Sequence, residues 1–491
     1  MNIQKVCLVV VLIVSIATAF AGWERTYGGA FRDDAYSIIQ ATDGGFIVTG
    51  KTESLGFGSD GYSVIYLFKI NESGDIQWSN TFGDSLKSSR GDVLLNMSDG
   101  YVLGGTAFQA GYSYSDFLLM KFTDSGDSVL TNYYGGIANE TLKDMIHTSD
   151  NAFLMVGQTT SFGAGGNGDA YIVKADTEGT ALWEYLFGET GNQDYANSVI
   201  ETSDGGFIIV ITSRPMAPSP GYNDLVLLKL DSHGDSVWTK CYSGLYRDWG
   251  ESIIKTEDNN YLISGAYGTS LYYEDWWLLK IDEDGDTIWT KTYGGHPHLR
   301  GVDIKLLPDG GFIAINSIQT SDAEAYDIHL VRLDSECNII WDSYFGGDDH
   351  DIGGAVIALP DGGFMIAGSV SSFGEGNFDC FVAKLDSLGN SSLQEKKALP
   401  EGIRIAAYPS PFNSEITIDI WLPADELVTV EIYNISGSLV KTLFSGGVHG
   451  GLNTFVWNGL DDGGLKAPTG SYFAKVATET ETKTMNILLL K

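Results

Sequence analysis

Several groups of residues have types and spacings that could do chemistry. His296-Pro297-His298 and Asp348-Asp349-His350-Asp351 set imidazoles beside carboxylates in two corresponding stretches. Such groups can ligate a metal or act as a general acid and base. Gly45 to Thr52 reads GFIVTGKT and matches GxxxxGK[ST], whose amides cradle phosphate between a strand and a helix. Asp282-Glu283-Asp284-Gly285-Asp286 puts carboxylates at alternate positions, as a calcium loop does, and Asp461-Asp462-Gly463-Gly464 is a shorter version. Asp33, Asp194, Asp248 and Asp351, with Glu140 once in their place, stand ten residues before a recurrent turn Asp, and a ring of them could hold a cation.

Each group also has a plainer reading. The residues inside GFIVTGKT are those of an apolar strand, no helical pattern follows, and other units read GQTT or GSVS at the same place. ATP binding is therefore not expected. The DEDGD run aligns with ESGD and SHGD elsewhere, so it reads as a solvated hairpin. The His-containing stretches fall in loops that are polar by default, yet they remain the best place to look for chemistry. An acidic residue repeated from unit to unit reads as a turn or backbone partner. No ordered Ser/His/Asp or Cys/His constellation stands out, so neither catalysis, a cofactor nor a metal site is expected.

The elements that must position these residues repeat. Units open at Trp23, Trp78, Leu130, Trp183, Trp238, Trp289 and Trp341, at spacings of 55, 52, 53, 55, 51 and 52 residues. A period in this range signals a propeller or solenoid. Within a unit, an aromatic heads a Gly turn (Tyr27-Gly28-Gly29, Phe345-Gly346-Gly347). A strand-like run then meets DGGF (Asp43, Asp204, Asp309, Asp361) or its variants DGY, DNAF and DNNY. Asp-Gly supplies the positive φ of a tight hairpin. A third run starts at Asp and ends in Lys or Arg five residues later, as in Asp169/Lys174, Asp224/Lys229 and Asp327/Arg332, while the first unit keeps only Lys69. Four strands per unit make a propeller blade.

The seventh unit stops without a Trp strand, and the chain begins with an orphan one, Trp23 to Tyr27. Supplying it to the last unit gives seven complete blades and leaves no open edge, the hazard that closure removes. This register sorts the loops. The first-to-second and third-to-fourth connections are short. The second-to-third connections are long and differ in every unit, and they share a face with the loops between blades. Variable loops on a rigid scaffold are where binding resides. The candidates there are Tyr62, Tyr112, Tyr114, Tyr222, Tyr272, Tyr273, His296, His298 and His350.

The chain has 491 residues and a formal charge of −35, which repels nucleic acid. Residues 1–21 read as a secretory signal peptide: Lys5, an apolar run from Val6 to Phe20, and cleavage between Ala21 and Gly22. No other stretch is long and apolar enough to span a membrane, so the mature chain is expected to be exported with no span. Of four cysteines, Cys241, Cys337 and Cys380 remain after cleavage, in different units, and are expected as free thiols.

The pattern D-x-F-V-x-K-L-D, Gly turn, W, Y-G-G, D-G-G-F-I-x-x-G resembles the bacterial seven-bladed propeller repeats called SBBP, over Trp23 to about Ser391. The resemblance implies a fold and no common activity. SHGDSVW and DEDGDTIW superficially resemble the Asp-box of sialidases and the Trp motif of quinoproteins. Asp284 adjoins Gly285, however, which departs from the Asp-box, and the Trp reads as a packing residue. After a linker at 393–402, residues 403–491 read as a small Ig-like sandwich. That stretch resembles the type A C-terminal sorting domain of the type IX secretion system and the related Ig-like domain of flagellar hook-cap proteins. The matching residues include Pro411, Asn413, Gly437, Gly470, Tyr472 and Lys491. The sorting resemblance implies an outer-membrane secretion machine as partner.

The expected architecture is thus all-β: a seven-bladed β-propeller over 22–392, closed by its N-terminal strand, followed by the Ig-like sandwich. The expected role is a secreted or cell-surface binding protein for glycan or protein, not an enzyme. The alternatives are a propeller hydrolase, lyase or quinoprotein with its site at the channel mouth, and a structural surface or matrix protein without a specific ligand.

Overall fold

The computed structural model describes residues 22–56, 62–83, 87–109, 111–163, 168–188, 192–214, 223–244, 246–270, 273–294, 299–319, 325–391, 403–408, 416–422, 426–448, 451–478 and 481–489. The signal peptide, Ala21, the linker, Pro411, Asn413 and Lys491 lie outside them. The described residues are all-β, with no helix.

The chain enters on β1 (Trp23–Tyr27) and then builds antiparallel four-stranded sheets in sequence. The first holds β2 (Asp33–Gln40), β3 (Phe46–Thr52), β4 (Val64–Ile70) and β5 (Ile76–Phe82). The second holds β6 (Arg90–Met97), β7 (Gly100–Phe108), β8 (Ser115–Phe122) and β9 (Ser128–Tyr134). The third holds β10 (Glu140–His147), β11 (Ala152–Thr159), β12 (Asp169–Asp176) and β13 (Ala181–Phe187). The fourth holds β14 (Tyr195–Glu201), β15 (Phe207–Ser213), β16 (Asp224–Leu230) and β17 (Ser236–Tyr242). The fifth holds β18 (Asp248–Lys255), β19 (Tyr261–Gly268), β20 (Glu274–Ile281) and β21 (Thr287–Tyr293). The sixth holds β22 (Leu299–Leu306), β23 (Phe312–Gln319), β24 (Tyr326–Leu333) and β25 (Ile339–Phe345). The seventh holds β26 (Asp351–Ala358), β27 (Phe364–Val370) and β28 (Asp379–Leu385) and takes β1 as its fourth strand, with Trp23 opposite Lys384 and Tyr27 opposite Cys380.

Burial explains the strand chemistry. Second and third strands are covered on both faces by neighbouring sheets, so they read as continuous apolar runs such as FIIVITS and DLVLLKL. Fourth strands alternate exposed and half-covered residues, as an edge does. An apolar core fills each junction. Leu154, Val156 and Ile172 of the third sheet meet Ile209, Val226 and Leu228 of the fourth. Met365, Ala367 and Val382 of the seventh meet Val48, Tyr66 and Phe68 of the first. First strands touch in order from β2 to β26, and β26 touches β2.

The repeated Trp and Tyr fasten one sheet to the next. Trp23 Nε1 donates to the Glu72 carbonyl at 3.0 Å and Trp78 Nε1 to that of Asp124 at 3.1 Å, each in the turn of the following sheet. Tyr27 Oη and Tyr134 Oη reach the same turns at Gly74 O (2.7 Å) and Gly179 O (2.8 Å). The DNAF and DNNY variants are explained by Asn151 and Asn259, both at φ 62°, where Gly205 holds φ 76° in a DGG hairpin. Asn tolerates that region better than other side chains.

Beyond the seventh sheet stand β29 (Arg404–Tyr408), β30 (Ile416–Leu422), β31 (Glu426–Asn434), β32 (Leu439–Val448), β33 (Gly451–Trp457), β34 (Gly470–Ala477) and β35 (Thr482–Leu489). They pair as β29-β30-β33 and β32-β31-β34-β35. Ile416, Ile418 and Trp457 of one sheet pack with Val430, Ile432 and Tyr472 of the other, forming a sandwich.

Candidate binding face

Antiparallel order puts the second-to-third loops and the sheet-to-sheet loops at one end of every sheet. Buried carboxylates staple these two loop classes together. Asp33 Oδ2 accepts Gly29 N at 2.8 Å from the incoming loop and Ser54 Oγ at 2.7 Å from the long loop. Glu140 accepts Gly136 N at 2.9 Å and Ser161 N at 3.2 Å, and Asp351 accepts Gly347 N at 2.9 Å and Ser371 N at 3.0 Å. All three are fully buried. The acidic register is thus a set of loop partners, as the repetition implies.

Each of these carboxylates faces the Asp that opens the third strand of the preceding sheet, a pairing the linear spacing hides. The turn Gly explains itself here. A Cβ at Gly135 would lie 2.1 Å from Asp116 Oδ1 and 2.2 Å from Glu140 Oε2, and one at Gly346 would lie 2.4 Å from Asp351 Oδ2 and 2.5 Å from Asp327 Oδ1. Burial, then the charge and hydrogen bond of Glu140, push the Asp116 carboxyl up to about 6. Burial and the nearby Asp248 push Asp224 up to about 6 as well.

The loops at this end display aromatic rings. Tyr62, Tyr112, Tyr114 and Tyr273, all expected from the sequence, are 41%, 55%, 44% and 51% exposed. Phe31 and Phe373 are also exposed and were not singled out by sequence reasoning. Their loops abut, since the space beside Gly376 is filled by the Phe31 carbonyl. The available signal was a Phe in an otherwise polar loop. His350 departs from the expected free loop residue: it is half-buried and stacks on Tyr326 at 5.7 Å. Tyr222, Tyr272, His296 and His298 lie outside the described residues.

Along the first strands, charge is locally matched. Every first strand carries a bulge at one register, skipping Tyr36, Asp92, Lys143, Asn197, Glu251, Val302 and Gly354. Around these positions Asp34 meets Arg32 at 2.8 Å and Lys51 at 3.2 Å, Arg90 meets Asp92 at 2.7 Å, and Lys305 meets Asp303 at 2.8 Å. Against burial, which alone would lower it, Asp303 and then Asp144 hold Lys305 above its ordinary pKa. Asp144 stands on the third sheet and Lys305 on the sixth, so charges on the first strands of different sheets act on one another.

The other sequence motifs resolve as turns and strands. GFIVTGKT runs along β3 with no helix after it. Asp282 accepts the amides of Asp284 and Asp286 at 3.1 and 2.8 Å, the pattern of a hairpin. Cys241, Cys337 and Cys380 are free. No three His, Cys, Asp or Glu side chains converge among the described residues. In the sandwich, Gly437 turns at φ 77°, while Gly470 and Tyr472 line a shallow groove of about 600 Å³ with Asn434, Asp461 and Pro468.

Residues 412–482 match the FlgD Ig-like domain family. No curated protein matches the sequence. Among solved structures the chain is similar to PorZ, a surface component of the type-IX secretion system of Porphyromonas gingivalis, at 12% identity over 95% of this chain and 60% of that one, TM-score 0.42. This chain therefore spans less than two thirds of PorZ. It is also similar to the Pan2 WD40 domain of Neurospora crassa, at 10% identity over 72% of this chain and 89% of that one, TM-score 0.44. A third likeness is to the acylaminoacyl peptidase of Pyrococcus horikoshii, at 9% identity over 82% and 60%, TM-score 0.43. At such identities the likeness concerns a propeller-like fold and no activity.

Proposed function

We propose that residues 22–392 form a seven-bladed propeller, shut into a ring by β1, that binds glycan through its loop face without catalysis. The observation that carries this reading is the set of exposed rings, Phe31, Tyr62, Tyr112, Tyr114, Tyr273 and Phe373, at one end of the sheets, where buried carboxylates hold the loops of Phe31, Tyr62 and Phe373. Flat, rigid rings offer stacking area at low entropic cost. The pairing of β1 with β28 and the core shared by seventh and first sheets support the ring. The chain is further proposed to be exported by its signal sequence, to reach the medium or cell surface, and to use residues 403–491 as a type IX sorting domain. The match to the FlgD Ig-like domain and the grouping of Gly470 and Tyr472 along one groove support that part.

The test is a glycan array with the secreted chain, followed by titration of the best ligand against Tyr112→Ala and Tyr273→Ala. Binding that weakens at least about tenfold in the double variant supports the loop face. Binding only to a protein surface would redirect the reading to a protein partner, and turnover of any glycan would overturn the non-catalytic part. Export across the outer membrane that survives deletion of 403–491 would remove the sorting role.

A further inference from the structure

We infer that two sheet junctions each hold a divalent cation of the calcium type, one between Asp33 and Asp379 and one between Asp224 and Asp248. All four carboxylates are at most 2% exposed. Their hydrogen-bond donors among the described residues are neutral: Gly29 N and Ser54 Oγ for Asp33, Glu375 N and Gly376 N for Asp379, Gly244 N and Gly268 N for Asp248. None forms an ion pair with a described Lys, Arg or His. Both oxygens of Asp224, and Oδ1 of Asp33, are buried with no donor among the described residues. Carboxylates buried this way call for a positive charge.

At the first of these junctions the geometry brings two of the oxygens together. Asp33 Oδ2 and Asp379 Oδ1 stand 2.3 and 2.6 Å from the point where a Cβ of Gly28 would be. The two strands are tied at the same level by Asp33 N to Phe378 O at 2.7 Å, and at the other junction by Asp248 N to Asn223 O at 2.8 Å. That backbone bond does not need the carboxylates. At the first-to-second junction Ser89 N meets Ser63 O at 2.8 Å, with Val64 and Ser89 in the two acidic positions. Architecture alone therefore does not account for the acids. The Asp116–Glu140 junction differs, because both oxygens of Glu140 have donors there: Thr159 Oγ1 and Ser161 N on Oε1, and Gly136 N on Oε2. An all-oxygen donor set selects a hard cation, and an irregular one favours Ca²⁺ over octahedral Mg²⁺.

The test uses the whole mature chain, stripped with EDTA and then freed of chelator. It is equilibrated with CaCl₂ or MgCl₂ at about 5 mM, a range suited to weak extracellular-type sites. Bound metal is counted by elemental analysis, and Tm is read in each salt. The expected result is two Ca²⁺ per chain, a rise in Tm of about 2 °C or more, and a weaker response to Mg²⁺. Asp224→Asn and Asp33→Asn should each remove one Ca²⁺ while the near-ultraviolet circular dichroism stays native. No retained Ca²⁺ and equal Tm in CaCl₂ and EDTA would overturn the inference and leave protons as the neutralising charge. If a variant fails to fold, the wild-type stoichiometry decides alone.

Discussion

Lys229 Nζ lies 2.7 Å from Asp204 Oδ1, with the lysine side chain 5% exposed and the aspartate 65% exposed. The same buried-Lys, exposed-Asp pair recurs as Lys69–Asp43 at 2.8 Å, Lys174–Asp150 at 2.7 Å and Lys280–Asp258 at 2.7 Å, and Arg332 meets Asp309 in the sixth sheet. In these five sheets the cation at the end of the third strand thus lies under the hairpin that joins the first two. Asp204→Ala leaves a buried ammonium with Thr202 Oγ1 as its remaining partner. The expected cost is about 1–3 kcal/mol in urea unfolding, and Lys229→Met in the Asp204→Ala background should recover part of it.

The hairpin aspartates also set an acid limit. The hydrogen bond from Lys174, then that from the Thr148 hydroxyl, holds Asp150 below the usual carboxylate range, and Lys69 does the same for Asp43. A carboxyl depressed in the folded state contributes stability above its unfolded pKa of about 3.9, and that contribution is lost as pH falls through the lower folded value. Melting temperature should therefore fall below about pH 4, and Asp43→Asn with Asp150→Asn should flatten that fall.

Asp116 has the opposite sign. Its folded pKa, raised to about 6, makes ionisation a penalty that is absent below the unfolded pKa near 3.9 and complete above the folded value. Asp116→Asn should raise Tm relative to wild type at pH 8 by about 2 °C or more and give little advantage at pH 4. Thermal unfolding at the two pH values checks it. An equal difference at both would show that the carboxyl carries no such penalty.

Much of this architecture was legible in the sequence because its causes are local. DGGF needs a positive-φ Gly, the Trp period marks the fourth strands, of which β1 and β5 fasten on the next sheet through that Trp, and the continuous apolar runs mark strands covered twice. Lys69 and Lys229 were visible only as a register, since their Asp partners lie more than twenty residues away. The acidic pairs were hidden for the same reason: Asp379 meets Asp33 only when the seventh sheet packs on the first. On the loop face, exposure of Tyr112 and Tyr273 followed from loop position. The covering of His350 by Tyr326 depends on two strands of different sheets, which no local pattern encodes.

The Gly of the aromatic-Gly turn gives a sharper test of the paired acids. Gly135→Ala would push a methyl to within 2.1 Å of Asp116 and 2.2 Å of Glu140, so those carboxyls must move or the turn must shift. A cost of about 1–3 kcal/mol is expected from this overpacking. Adding Asp116→Ala should return part of the loss, because it removes one of the two colliding groups. If the double variant is no better than the additive sum of the singles, the glycine is required by the backbone and not by the acids.

Asn259 tests the hairpin itself. It holds φ 62° at the position taken by Gly205 in the fourth sheet, with Asn259 N donating to Thr256 O at 3.0 Å to close the turn. Asn259→Gly keeps that bond and removes a side chain from the left-handed region. The change should be within about 0.5 kcal/mol of neutral, since relief of strain is offset by the greater freedom of Gly in the unfolded chain. Asn259→Ala keeps a Cβ without Asn's tolerance of that conformation and should cost about 1 kcal/mol. Urea unfolding of the two variants should therefore rank Gly above Ala. The reverse order would mean that the hairpin relaxes out of the left-handed conformation once the amide is gone.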